Sequence, residues 1–171
     1  MCRFQKYFSK LSVLFGVTLL MPLLLCLPTS AAAFGLAGVD ARAGVIDPDG
    51  VDGTLAFGGG LNFQQADSHV HLMPNVLFWS QDGLSDVNTN FDASYHFEPA
   101  GRVSPYLGAG VGMHFYSSDG PSDPGTDVGP NFFGGVTFPL SGASLYMEGR
   151  AAVTDRSQFG FLTGATFYLG R

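Results

Sequence analysis

The sequence predicts an all-β fold: an eight-stranded antiparallel up-and-down transmembrane β-barrel behind an N-terminal signal peptide. Three observations carry that prediction. Apolar residues recur with period two in eight segments, most of them about 10 residues long, the length a tilted strand needs to cross a bilayer. Of the 171 residues 46% are hydrophobic and only 13% charged, with 24 glycines and 16 phenylalanines, a mixture that fits neither a disordered chain nor an ordinary soluble helical domain. No stretch of residues 34–171 keeps the i, i+3, i+4, i+7 spacing of an amphipathic helix or reaches the length of a membrane helix.

The first segment, Phe34–Ala43, carries Asp40 and Arg42, and the second, Thr54–Phe63, is glycine-rich. The third, His69–Trp79, sets Val70, Leu72, Pro74, Val76 and Phe78 against His69, His71 and Asn75. In the fourth, Asp86–Phe97, Val87, Phe91, Ala93, Tyr95 and Phe97 alternate with Asn88, Asn90, Asp92, Ser94 and His96. The fifth, Val103–Tyr116, is the most regular: Val103, Pro105, Leu107, Ala109, Val111, Met113 and Phe115 share one face. Ser104, Tyr106, three glycines, His114 and Tyr116 share the other. Gly129–Phe138 is the sixth. Ala143–Val153 sets Leu145, Met147, Ala151 and Val153 opposite Tyr146, Glu148 and Arg150, and Gln158–Leu169 sets Phe159, Phe161, Ala165, Phe167 and Leu169 opposite Gly160, Gly164 and Tyr168.

Connections orient the barrel, because membrane barrels use short turns on the periplasmic side and longer loops outside. The even-to-odd connections, Gln64–Ser68, Glu98–Arg102 and Pro139–Gly142, are all short. Among the odd-to-even ones, Gly44–Gly53 holds an Asp-Pro-Asp-Gly turn and Ser117–Val128 is rich in Asp, Pro, Gly and Ser, whereas Thr154–Ser157 is brief. Both termini are therefore expected in the periplasm. A soluble barrel with the apolar face inward would need charge on its polar face. That face offers only Asp40, Arg42, Asp92, Glu148 and Arg150, so lipid outside and polar side chains inside is the assignment made.

Residues 1–33 read as an export signal: Arg3, Lys6 and Lys10, then an apolar stretch from Leu11 to Leu27, then Pro-Thr-Ser-Ala-Ala-Ala with cleavage expected after Ala33. Cleavage leaves the barrel domain, residues 34–171, and removes Cys2 and Cys26, so thiol nucleophiles, disulfides and thiolate metal sites are excluded. Arg42, Arg102, Arg150, Arg156 and Arg171 then stand against all fourteen acids, which argues against a nucleic-acid surface.

Pro105-Tyr-Leu-Gly-Ala-Gly-Val-Gly112, entered by Glu98-Pro-Ala-Gly-Arg102, resembles the small outer-membrane β-barrel superfamily of opacity-like and porin-like single-domain proteins. The end, Gly164-Ala-Thr-Phe167-Tyr-Leu169, is similar to that family's terminal strand, whose glycine and alternating hydrophobics the barrel-assembly machinery recognises. The resemblance implies an outer-membrane monomer without cofactor. Its partners would be outer-membrane lipid and lipopolysaccharide, with periplasmic chaperones and the assembly machinery during biogenesis. Roles in the superfamily include adhesion, membrane stabilisation, passage of small solutes and, in some barrels, lipid A enzymology. A non-enzymatic structural or surface-interaction role is the leading expectation; a narrow gated pore and a lipid A-modifying enzyme are the alternatives.

Several clusters hold residue types that carry chemistry in other settings. Gly108, Gly110 and Gly112 lack the spacing and the following helix of a phosphate loop and read as interior packing. Asp92, Ser94 and His96 have the residue types of a hydrolytic triad, but same-face neighbours lie about 7 Å apart on a strand, too far for mutual hydrogen bonds. His69, His71, His96 and His114 are all expected inside, as polar filling rather than metal ligands. The loop acids Asp47, Asp49, Asp52, Asp119, Asp123 and Asp127 read as solvated, with weak divalent-cation binding as the functional version. Asp40, Arg42, Glu148 and Arg150 are expected to form an interior charge cluster across the eighth strand, because an unpaired charge there is costly.

Overall fold

A computed structural model describes residues 34–119 and 125–169. The signal-peptide segment 1–33, loop residue Asp123 and the terminal Gly170-Arg171 lie outside the described residues. Eight strands run β1 Gly35–Pro48, β2 Thr54–Gln64, β3 Val70–Gln81, β4 Leu84–His96, β5 Ser104–Ser118, β6 Thr126–Leu140, β7 Ala143–Ala152 and β8 Gln158–Tyr168. Each pairs antiparallel with the next, and β8 returns to β1 in register from Gly38–Tyr168 to Pro48–Gln158, closing the barrel. An all-β, closed eight-stranded antiparallel barrel is thus the architecture.

Period two places side chains alternately outside and inside. Leu55, Phe57, Phe91, Leu107, Met147 and Phe161 all point outward and are exposed, while Asn75, Asp86, Asn90, Asp92, His114, Asn131, Glu148 and Arg150 are buried inside. Such an inversion of the usual core suits hydrocarbon around the barrel.

Three details differ from the sequence reading. β1 continues past Ala43 to Pro48 and β6 starts at Thr126, because backbone pairing carries strands beyond the bilayer-matched stretch. Asp82-Gly83, both at positive φ of 52° and 73°, joins β3 to β4 as a two-residue turn whose backbone twist matches the flanking strands. Tight turns therefore occur at both ends of the barrel, with Gly142 in the other. His69 is not inside: β3 begins at Val70, and His69 stands half-exposed at the end that holds the termini, 3.4 Å from Glu98.

The interior is filled rather than hollow, as expected of a narrow eight-stranded barrel. Ile46, Ala56, Leu77, Trp79, Tyr116 and Leu162 cluster in the half away from the termini, and Tyr106, Phe133 and Tyr146 in the half nearer to them. Trp79 is the sole tryptophan of the sequence, is 1% exposed, and donates its indole N–H to Asp86 Oδ2 at 3.2 Å. Fluorescence from the folded protein is therefore expected to be blue-shifted and barely quenched by iodide or by brominated lipid, with the quenching appearing only on unfolding.

Candidate functional site

The alternation that exposes Leu145 and Met147 turns Tyr146, Glu148 and Arg150 inward from β7. Tyr146 lies across Gly164 of β8, where a Cβ would collide with its hydroxyl and with the Ala41 carbonyl. That clearance lets the hydroxyl donate to Asp40 Oδ2 on β1 at 2.6 Å. Tyr106 repeats the device: it passes over Gly135 of β6, whose Cβ would sit 2.9 Å from the hydroxyl, and donates to Glu148 Oε2 at 2.9 Å. In both places a tyrosine reaches a carboxylate two strands away over a glycine of the intervening strand.

The four cluster residues form two pairs. Arg42 donates to Asp40 Oδ1 through Nε at 2.7 Å and Nη2 at 2.6 Å, and Arg150 Nε donates to Glu148 Oε1 at 3.0 Å. Among the described residues no ion pair joins the two across β8; Tyr146, from the strand that carries Glu148 and Arg150, crosses it to reach Asp40. Arg150 Nη2 also donates to Asp92 Oδ2 at 2.7 Å, bringing a third carboxylate in from β4. The Arg150 guanidinium sits 4.5 Å above the Phe133 ring, which occupies the space that a side chain at Gly108 would fill. Such a contact adds a cation–π attraction to the charge pairing.

Asp92 also ends an amide chain. Asn131 donates to Asn90, Asn90 to Asn75 at 3.2 Å, and Asn75 to Asp92 Oδ2 at 2.8 Å. Gly110 and Gly112 make room for it, since side chains there would press on Asp92 and Asn90. A second knot fills the other half. Asp86 accepts from His114 Nδ1 at 2.7 Å, from Trp79, and from Gln158 Nε2 at 3.1 Å; Asp86 and His114 are completely buried. Sequence reasoning overlooked Asp86 as an interior charge, although it stands two residues before Asn88 in the same inward series.

Asp92, Ser94 and His96 do not assemble. Asp92 faces Arg150, while His96 stacks between His71 at 4.0 Å and Tyr106 at 5.0 Å. Among the described residues no three His, Cys, Asp or Glu side chains converge to hold a metal ion. Of the terminal-strand residues, Gly164 is interior and Phe167 and Leu169 point outward.

Solved structures with this arrangement are small barrels. Neisserial surface protein A is 15% identical and matches with a TM-score of 0.68 over 77% of this chain and 96% of its own. The N-terminal β-barrel domain of Pseudomonas aeruginosa OprF is 18% identical, with a TM-score of 0.62 over 79% of this chain and 99% of that one. The chain has the small outer-membrane β-barrel fold. Ail, the attachment invasion locus protein of Yersinia pestis, adds a third example at 16% identity and a TM-score of 0.55, over 80% of this chain and 100% of its own. No family model and no curated protein matches the sequence.

Proposed function

We propose that the protein is a non-enzymatic outer-membrane barrel with a structural or surface-interaction role, a monomer with both termini in the periplasm. One observation carries the reading: an exposed apolar belt encloses an interior whose buried charged side chains pair with one another across the lumen. The names of two structures with the same fold, a surface protein and an attachment protein, support the surface role. Export through residues 1–33, escort by periplasmic chaperones and insertion by the barrel-assembly machinery complete the proposal, with lipid and lipopolysaccharide as the final surroundings. Fractionation and heat-modifiable gel mobility test it; recovery as a soluble periplasmic protein overturns it. Lipid A mass spectra from cells with and without the protein are expected to be identical.

Residues Gly164, Phe167 and Leu169 are proposed to serve as the assembly signal. Phe167→Asp, at a half-exposed outward position, puts a charge against lipid at a cost of about 1–3 kcal/mol. The variant is expected to lose the heat-modifiable form and accumulate in the periplasm. Tyr168→Phe, which removes only a hydroxyl bonded to Ser144, is expected to insert normally; equal insertion of Phe167→Asp and wild type would refute the lipid-facing register of β8.

A narrow pore is a second reading, favoured by two interior cavities. One of ≈ 50 Å³ lies nearer the termini and is lined in part by Glu148; the other, of ≈ 20 Å³, lies beyond it and is lined in part by Arg150. The Glu148–Arg150 pair stands between them. Planar-bilayer conductance that changes in Glu148→Gln supports this reading, and silence at single-channel resolution removes it.

A further inference from the structure

Arg42 and Arg150 share a pattern that charge pairing leaves unexplained. Each guanidinium commits Nε and Nη2 to carboxylates: Arg42 to Asp40 at 2.7 and 2.6 Å, Arg150 to Glu148 at 3.0 Å and to Asp92 at 2.7 Å. Each keeps Nη1, which is buried and has no hydrogen-bond partner among the described residues. Two asparagines repeat the pattern in the opposite sense. Asn62 and Asn88 are 6% and 4% exposed, and each has a buried Oδ1 that accepts from no donor.

These four groups fall into the two interior cavities as matched couples. Arg42 of β1 and Asn62 of β2 border the cavity nearer the termini, whereas Arg150 of β7 and Asn88 of β4 border the one beyond it. Each cavity therefore has one wall residue with an unused N–H donor and one with an unused carbonyl acceptor. His96, whose Nε2 is also buried without a partner, adds a third polar group to the first.

Matched couples of this kind select against ions. A cation would meet a guanidinium; an anion would meet an amide carbonyl and, in the first cavity, the carboxylates of Asp40 and Glu148 as well. A neutral molecule that accepts one hydrogen bond and donates another satisfies both members, and leaving them unmade is costly in a buried site. Size narrows the choice further. A water needs about 10–15 Å³ of free space and two to four polar partners, and the cavities offer ≈ 50 Å³ and ≈ 20 Å³. We infer that the lumen carries two built water sites, in each of which a water accepts from an arginine Nη1 and donates to an asparagine Oδ1: Arg42 with Asn62, and Arg150 with Asn88. The first has room for a small cluster, the second for a single molecule. Because Glu148 lines one and Arg150 the other, their ion pair keeps the two pools apart.

The test uses the full chain, exported in cells and purified folded in perdeuterated detergent. Cross-relaxation between water and methyl protons is measured by NMR in the laboratory and rotating frames, which distinguishes long-lived internal water from surface water. Met73 reports on the first cavity, Ile46 and Leu77 on the second. Long-lived water cross-peaks are expected at all three. Asn62→Leu is expected to abolish the Met73 cross-peak and keep those at Ile46 and Leu77; Asn88→Leu is expected to do the reverse. The wild-type spectrum decides alone if either variant does not fold. Ammonium chloride and sodium formate, each titrated at constant ionic strength against sodium chloride, are expected to produce no saturable shift at the three methyls. Methyls without long-lived water, folded variants that keep every cross-peak, or a saturable shift with either ion would each overturn the assignment.

Discussion

Arg150→Met is expected to lower stability by about 3–5 kcal/mol, because it strands carboxylates rather than merely removing a bond. Arg150 is 6% exposed and is held by Glu148 at 3.0 Å and Asp92 at 2.7 Å. Without it, Asp92 keeps only the Asn75 amide and Glu148 only the Tyr106 hydroxyl, and two negative charges remain in a low-dielectric interior. The triple variant Arg150→Met, Asp92→Asn, Glu148→Gln removes cation and anions together and is expected to regain most of the loss. Urea unfolding in lipid vesicles measures both. A single variant within about 1 kcal/mol of wild type, the range of an exposed pair, would show that this network does not hold the interior together.

Gly164→Val is expected to be comparably damaging, at about 3 kcal/mol or more, by a different cause. A side chain there meets the Ala41 carbonyl, which belongs to the β1–β8 seam, and the Tyr146 hydroxyl. The ring is free to swing away; the backbone is not. Overpacking of this kind costs about 1–3 kcal/mol, and displacing Tyr146 leaves Asp40 short of a donor, a further 1–3 kcal/mol or so. Tyr146→Phe alone is expected to show only the second part. Refolding in vitro separates packing from recognition: a Gly164→Val protein that refolds with wild-type stability yet fails to insert in cells would assign the glycine to recognition alone.

The strands were legible where an outward series, such as Val111, Met113 and Phe115, is interrupted at every second position by Gly, His or Tyr, as in β5. Strand ends were less so. Pro48 and Thr126 sit in segments whose composition is that of turns, and only pairing with Gln158 and Phe115 holds them extended. Asp40, Arg42, Glu148 and Arg150 could be named from alternation, since inward charges must be compensated. Their partners could not, because alternation says which face a residue occupies and nothing about which side chain crosses the lumen. Hence the sequence groups Asp92 with Ser94 and His96 on its own strand, although its cation comes from β7. His69 was misplaced for a simpler reason: period two extrapolated one residue past the start of β3.

The seam between β1 and β8 brings Gly38 against Tyr168 and Pro48 against Gln158. Every other strand pair joins neighbours in sequence and needs only a short loop to close, but this pair spans nearly the whole domain. Closing so long a loop is entropically slow, and no partial closure offsets it. Before it forms, the outer edges of β1 and β8 carry unpaired backbone N–H and C=O groups that hydrocarbon cannot satisfy. An open sheet with seven of the eight pairings made is therefore not a resting state within a bilayer. Although seven of its eight pairings are local, the barrel is expected to fold in a single all-or-none step, timed by the arrival of its last strand.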